Sequence, residues 1–146
     1  MQIRDIMKRR IEAITPDADI RSAARMMRDK DIGMLPVNQG DDIVGIVTDR
    51  DITTRATAKG SDPNHTLVRD VMSNEVFSCL DSDDLQEAAR IMEEYQIRRI
   101  IVQNESDAFV GILSLADLAH HQQTEKLGAR ILGEVTQPHH STATHY

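Results

Sequence analysis

The sequence predicts an α/β fold of the α+β kind, built from two tandem β-α-β-β-α repeats packed sheet to sheet. Three observations predict it. First, the chain repeats itself: Arg4-Asp5-Ile6-Met7 returns as Arg69-Asp70-Val71-Met72, an offset of 69 − 4 = 65. The same offset carries Ile20, Ala23, Ala24, Arg25 and Met27 onto Leu85, Ala88, Ala89, Arg90 and Met92, and Ile32 and Val37 onto Ile97 and Val102. One inserted residue in a polar turn, where it costs least, makes the offset 66. Gly45-Ile46-Val47-Thr48-Asp49-Arg50-Asp51 then lies on Gly111-Ile112-Leu113-Ser114-Leu115-Ala116-Asp117. Second, the apolar residues Ile20, Ala23, Ala24 and Met27, and their counterparts, fall at i, i+3, i+4, i+7, the spacing of one helix face. Third, each copy places two short apolar runs around a polar turn, the mark of a hairpin.

In chain order, Ile11 to Ile14 and Val76 to Cys79 suit a first strand. The first helix follows, with Asp19 and Asp84 as caps and Asp84 with Glu87 resembling a capping box. Met34 to Val37 and Arg99 to Val102 read as strands, as do Ile43 to Val47 and Phe109 to Leu113. A second helix starts at Thr48 or Ser114. One such unit buries too little apolar surface to be stable alone, and two packed together solve that problem. Lys59-Gly60-Ser61-Asp62-Pro63-Asn64-His65 is a linker of turn formers. The expected domains are residues 1–62, 63–120, and a C-terminal helix and flexible tail over 121–146. In that tail Leu127, Ile131, Leu132 and Val135 form one apolar stripe, and Gln137 to Tyr146 reads as frayed. Met26, Met27, Met34 and Met92 sit at core spacing.

Composition narrows the function. The chain has 146 residues and 16.4 kDa, with 40% apolar and 28% charged residues, ordinary values for a folded protein. Its net charge of 17 − 24 = −7 disfavours a nucleic-acid partner, although a basic site for one small anion is compatible with it. Cys79 is the single cysteine, so no internal disulfide or cysteine-based zinc site is expected. Met1 to Ile14 does not read as a signal peptide and no run of about 18 apolar residues occurs, so the expected location is cytoplasmic, with no membrane partner. Aromatics are 3%, so a flat ligand would be gripped by aliphatic side chains and backbone.

The sharpest local signal is Gly-h-h-[Thr/Ser]-x-x-Asp, present twice. A strand ends and a helix begins at the Thr or Ser. Helix starts favour anions, the hydroxyl offers a donor to phosphate, and an Asp one turn on accepts from a pair of donors such as a ribose diol. The glycine lets a backbone or a ligand approach closely. The competing reading is a capping box, in which hydroxyl and carboxylate satisfy backbone donors only. Two copies in matched frames weigh towards the ligand.

Both motifs, with Asp5-Ile6-Met7, Asp70-Val71-Met72 and the Leu35-Pro36-Val37 strand, resemble a tandem pair of CBS domains (cystathionine β-synthase type), a Bateman module, over roughly residues 1 to 120. The resemblance implies sheet-packed repeats with pseudo-twofold symmetry, and clefts between them that bind adenosine compounds. It implies Asp51 and Asp117 on ribose, Thr48 and Ser114 on phosphate, and the basic pair Arg98-Arg99 reaching phosphate. The first repeat holds Gly33 and Met34 in place of that pair, so the two clefts are expected to differ. Ile14, Thr15, Pro36, Cys79 and Ile100 are the candidates for an adenine slot. Arg50 either touches phosphate or faces solvent, and Arg98-Arg99 either reach phosphate or sit at an exposed strand edge or in a salt bridge to a partner.

The expected function is a regulatory binding module, not an enzyme. AMP, ADP or ATP is its ligand, ahead of NAD or S-adenosylmethionine, and no cofactor is required. It is expected to pair into a homodimer and to signal to a separate downstream protein. The alternative is a ligand-independent structural module whose C-terminal helix docks a partner. Walker, dinucleotide and zinc-protease motifs are lacking, and the pairs His120-His121 and His139-His140 are not expected to hold metal.

Overall fold

The first helix of each repeat begins where an aspartate precedes the apolar stripe. The computed structural model describes residues 1–9, 12–121 and 124–136. Helix α1 (Ile20–Lys30) is capped by the Asp19 carboxylate, which accepts the Ser22 N–H at 2.7 Å and is held below its ordinary pKa by that bond. Its counterpart α4 (Leu85–Tyr95) starts at Asp84, which accepts from Gln86 N at 2.9 Å. The capping box expected of Asp84 and Glu87 does not close. The Glu87 carboxylate goes instead to Arg90, 2.7 Å away, the next partner along the helix face.

Strands β1 (Met34–Gln39) and β2 (Asp42–Thr48) form the first hairpin, with Met34 opposite Thr48 and Pro36 opposite Ile46. Helix α2 (Asp49–Arg55) follows directly, and the short helix α3 is Val68–Val71. In the second copy β3 (Ser78–Leu80) runs parallel to β4 (Arg99–Gln103), which pairs antiparallel with β5 (Phe109–Ser114). Helices α5 (Leu115–His120) and α6 (Glu125–Val135) complete it.

The expected first strand is present in one copy only. In the second it lies at Ser78–Leu80, displaced from Val76 to Cys79. In the first, Ile14 makes a single parallel bridge to Val37, and Ile11 falls outside the described residues. Two prolines explain the difference. Asp81 N donates to Gln103 O at 2.8 Å and Ile101 N to Phe77 O at 3.0 Å, which extend the β3 ladder at its two ends. The residues 65 positions earlier are Pro16 and Pro36, which have no N–H to give.

The chain divides into two compact units, Glu12–Val76 and Met1–Ile11 with Phe77–Tyr146. Each has its own core, one around Leu35, Val37 and Val47, the other around Ile100, Val102 and Leu113. The residues leading into each repeat are therefore exchanged. Met1 to Arg9, the leading arm, packs on the second repeat, and Thr66 to Ser73 packs on the first. The bonding is the same in both. Ile3 N donates to Asp83 O (2.9 Å) and Arg4 N to Asp81 O (2.9 Å), as Val68 N does to Ala18 O (2.8 Å) and Arg69 N to Pro16 O (3.1 Å).

This assigns a task to each residue of the repeated Arg-Asp-x-Met. Arg4 pairs with Asp81, and Arg69 with Asp17. The Asp5 and Asp70 carboxylates accept the N–H of Gln2 (2.9 Å) and Leu67 (3.2 Å), three residues back. Met7 and Met72 lie over Gly111 and Gly45.

The C-terminal stripe turns inward. Ile131 and Val135 of α6 are buried and Leu127 is half-buried on the same core, while Arg130 Nε meets Glu93 Oε1 at 2.9 Å. Only Leu132 of the stripe is exposed, because it lies off the face that i, i+4 spacing presents to α4 and α5. The expectation that this stripe docks a partner helix is corrected: the helix spends its apolar face on its own unit. The two glycines of α6 then act oppositely. A Cβ at Gly128 would lie 2.8 Å from Ala119 N, whereas Gly133 meets nothing. Gly133→Ala is expected to stabilise by up to about 1 kcal/mol from helix propensity. Gly128→Ala is expected to destabilise by about 1–3 kcal/mol through overpacking against backbone. Thermal denaturation followed by circular dichroism reads both signs.

Candidate functional site

Strand β2 ends at Thr48 and β5 at Ser114, and each hydroxyl residue caps the helix that follows. Thr48 Oγ1 accepts Asp51 N at 3.0 Å, and Asp51 Oδ2 accepts Thr48 N at 3.0 Å. Ser114 Oγ accepts Asp117 N at 3.1 Å, and Asp117 Oδ2 accepts Ser114 N at 2.9 Å. Both boxes are closed. The next amides are also engaged. Asp49 N donates to Gly33 O (2.9 Å) and Leu115 N to Arg98 O (2.8 Å). The expectation that these helix starts hold open N–H groups for phosphate is corrected for α2, where Asp49 N, Arg50 N and Asp51 N are all taken, and for Leu115 N and Asp117 N of α5. Both turns offer a ligand the hydrogen of the hydroxyl, the outer carboxylate oxygen Oδ1, and side-chain cations.

The two outer oxygens have different neighbours. Asp51 Oδ1 faces Arg55 Nε at 3.7 Å, one turn along its own helix. The same guanidinium donates to Val71 O (3.3 Å) and Met72 O (3.4 Å), which ties it to backbone. Asp117 Oδ1 faces Lys8 Nζ at 3.7 Å, a cation from the leading arm. Both carboxylates are mostly shielded, 15% and 10% exposed.

The remaining candidates fall around these ends. In the unit of Glu12–Val76, Ile14 N donates to Pro36 O at 3.0 Å, so Ile14 and Pro36 lie side by side, both buried. Thr15 is exposed at the next position. Arg50 is exposed on the first turn of α2, and its carbonyl accepts from Thr54 Oγ1 at 2.8 Å. In the other unit, Arg99 stands opposite Ser114 in the ladder and is half-buried, and Arg98 is exposed beside it. Ile100 is fully buried and Cys79 is 7% exposed, so their side chains belong to the core. Cys79 Sγ lies 3.9 Å from Ile101 O, and burial pushes the thiol up to about 12.

Two charged partners escaped sequence reasoning, Lys8 and Arg55. Arg55 was legible as an i, i+4 neighbour of Asp51. Lys8 was not, because its place beside Asp117 depends on the exchanged arm. The different basic endowment of the two ends has a steric side too. A Cβ at Gly33 would lie 3.1 Å from Asp49 Oδ2, so that carboxylate occupies the place where the second repeat carries Arg98. The second repeat has Leu115 where the first has Asp49.

The model of the CBS domain matches residues 3–57 and again 68–123. The chain belongs to the CBS-domain family. This CBS pair is 33% identical over 134 residues to the CBS domain-containing protein YhcV of Bacillus subtilis, covering 92% of this chain and 94% of that one. It is 36% identical over 119 residues to hypoxic response protein 1 of Mycobacterium tuberculosis, covering 81% and 82%. A solved hypoxic response protein I with two coordinated zinc ions superposes with a TM-score of 0.74 at 34% identity, covering 83% of this chain and 98% of that one. A CBS domain protein of Pyrobaculum aerophilum complexed with AMP gives 0.76 at 26% identity, covering 89% and 99%. The mixed α/β architecture of two small sheets with helices is that of solved tandem CBS pairs. Among the described residues of this CBS pair, no group of three or more His, Cys, Asp or Glu is placed to hold a metal ion, and His139-His140 lie outside them. No described helix is long and apolar enough to cross a membrane.

Proposed function

We propose that this CBS pair is a regulatory module that binds an adenine nucleotide, AMP, ADP or ATP ahead of NAD or S-adenosylmethionine, and passes the signal to a separate protein. One observation carries this reading: the Ser114–Asp117 turn has Arg98, Arg99 and Lys8 around it, a carboxylate for a sugar diol with cations for phosphate. The AMP complex of the Pyrobaculum relative supports the ligand class. In this reading Asp117 takes the ribose hydroxyls on Oδ1 and the Ser114 hydroxyl donates to phosphate. Arg98 and Arg99 neutralise the phosphate, and adenine lies along the backbone around Cys79 and Ile100. Thr48, Asp51, Arg50, Ile14, Thr15 and Pro36 make a second, less basic site. The nucleotide acts as ligand, no cofactor or catalytic step is invoked, and the chain works as a cytoplasmic homodimer. Ligand shifts its output by no more than the difference in affinity between its two states.

Asp117→Ala removes charge-assisted hydrogen bonds worth about 1.5–3 kcal/mol, so AMP is expected to bind about ten- to a hundredfold more weakly by calorimetry. The lost cap costs about 1 kcal/mol of stability, which a melting curve separates from the loss of affinity. In the wild type, nucleotide at a hundredfold excess over Kd should add about 2.7 kcal/mol of stability. A flat thermal response to all five ligands would leave both boxes as caps and favour a purely structural module.

A further inference from the structure

Among the described residues, Lys8 is the one cation at this turn that comes from outside the repeat it serves. We propose that Lys8 is a phosphate-binding residue of the Asp117 site, so that bound nucleotide fastens the leading arm to the second-repeat unit. This rests on the nucleotide reading above. The backbone of Lys8 is fixed, not trailing. Lys8 N donates to Ile112 O at 2.9 Å and Ile112 N returns a bond to Lys8 O at 3.0 Å, two residues before Ser114. The close approach depends on Gly111, whose absent Cβ would fall 2.5 Å from Lys8 O.

Its side chain lies at the wet edge of the site. The Lys8 side chain is 70% exposed while the Asp117 carboxylate beneath it is 10% exposed, with 3.7 Å between Nζ and Oδ1. With its ammonium in solvent and 3.7 Å from the carboxylate, Lys8 holds this pairing only weakly. A ribose diol donating to Oδ1 releases the ammonium, whose flexible four-carbon stem lets it turn to an anionic group on the same ligand. The other unit lacks this device. The same backbone bridge there carries Ser73 opposite Ile46, and the cation at Asp51 is Arg55, already tied to two carbonyls. Among the described residues, the Asp117 site is therefore the one placed to gain a cation when its carboxylate is taken.

The test compares AMP with adenosine, which keeps the diol and lacks the phosphate. On the full chain, Lys8→Met is expected to weaken AMP about tenfold by calorimetry and to leave adenosine unchanged or slightly tighter. The Arg9→Met control should move neither. Saturating AMP should slow exchange of the Lys8 amide in the wild type and not in Lys8→Met. Equal weakening of both ligands would mean that Lys8 acts only by holding the arm, and an unmoved ratio with intact wild-type binding would overturn its role alone. A wild-type chain that takes neither AMP nor adenosine would overturn the nucleotide reading and this inference with it.

Discussion

Removal of Met1–Lys8 is expected to unfold the unit that contains the second repeat, although the deleted residues open the first. Ile3 is fully buried and Met7 is 7% exposed in the core that holds Ile100 and Leu113. Truncating one buried Ile or Met to Ala costs about 2–5 kcal/mol, and whole domains are stable by only about 5–15 kcal/mol. The deletion also strips the partners from Ile112 N–H and C=O and from the Arg4 contact with Asp81. Ile3→Ala alone should lower stability by about 2–5 kcal/mol. Calorimetry or amide spectra of the shortened chain would show the loss. A melting temperature within about 2 °C of the wild type would refute the exchange, since about 1 kcal/mol already moves a domain of this size by several degrees.

Gly111→Ala is expected to cost about 3 kcal/mol, the upper end of what overpacking does. The new methyl would fall 2.5 Å from Lys8 O, which is backbone bonded in place, and 3.2 Å from Met7 Sδ. Gly45→Ala meets Met72 Sδ at 2.7 Å and Ser73 O at 2.8 Å and should cost less, because its backbone obstacle stands farther off than Lys8 O and the thioether is flexible. Gly40→Ala, at φ +64° in open space, should cost only about 1–2 kcal/mol from backbone strain. Denaturant midpoints of the three variants give the order. A Gly111→Ala variant as stable as Gly40→Ala would show that the arm does not press on β5.

The glycine result also marks where residue patterns stop being informative. The glycine of the repeated motif signals a close approach, and the motif admits either a ligand or a chain segment as the visitor. The structure places the leading segments there, Lys8 over Gly111 and Ser73 beside Gly45. The hydroxyl–carboxylate pairs carry the same ambiguity. Capping and sugar binding need the same atom types at the same spacing, and the closed boxes show one oxygen of each carboxylate already committed to capping. The ligand reading therefore rests on the outer oxygens and on the cations that face them.

By itself the sequence determined the duplication, the helix faces, the hairpins and the caps, and so the CBS-pair architecture. These are written in local spacing: 3.6-residue periodicity, turn residues, and an aspartate before an apolar stripe act within a few positions of the chain. Only the tertiary structure decided that the leading arm serves the second repeat, that Ile131 and Val135 face inward, and that Lys8 stands beside Asp117. Lys8 and Asp117 are 117 − 8 = 109 positions apart, and nothing in the spacing of Lys8 records which strand will receive it. Departures from symmetry were legible in spacing as well: Gly33-Met34 in place of Arg98-Arg99, and the prolines Pro16 and Pro36, whose missing N–H groups leave the first strand of repeat one a lone bridge.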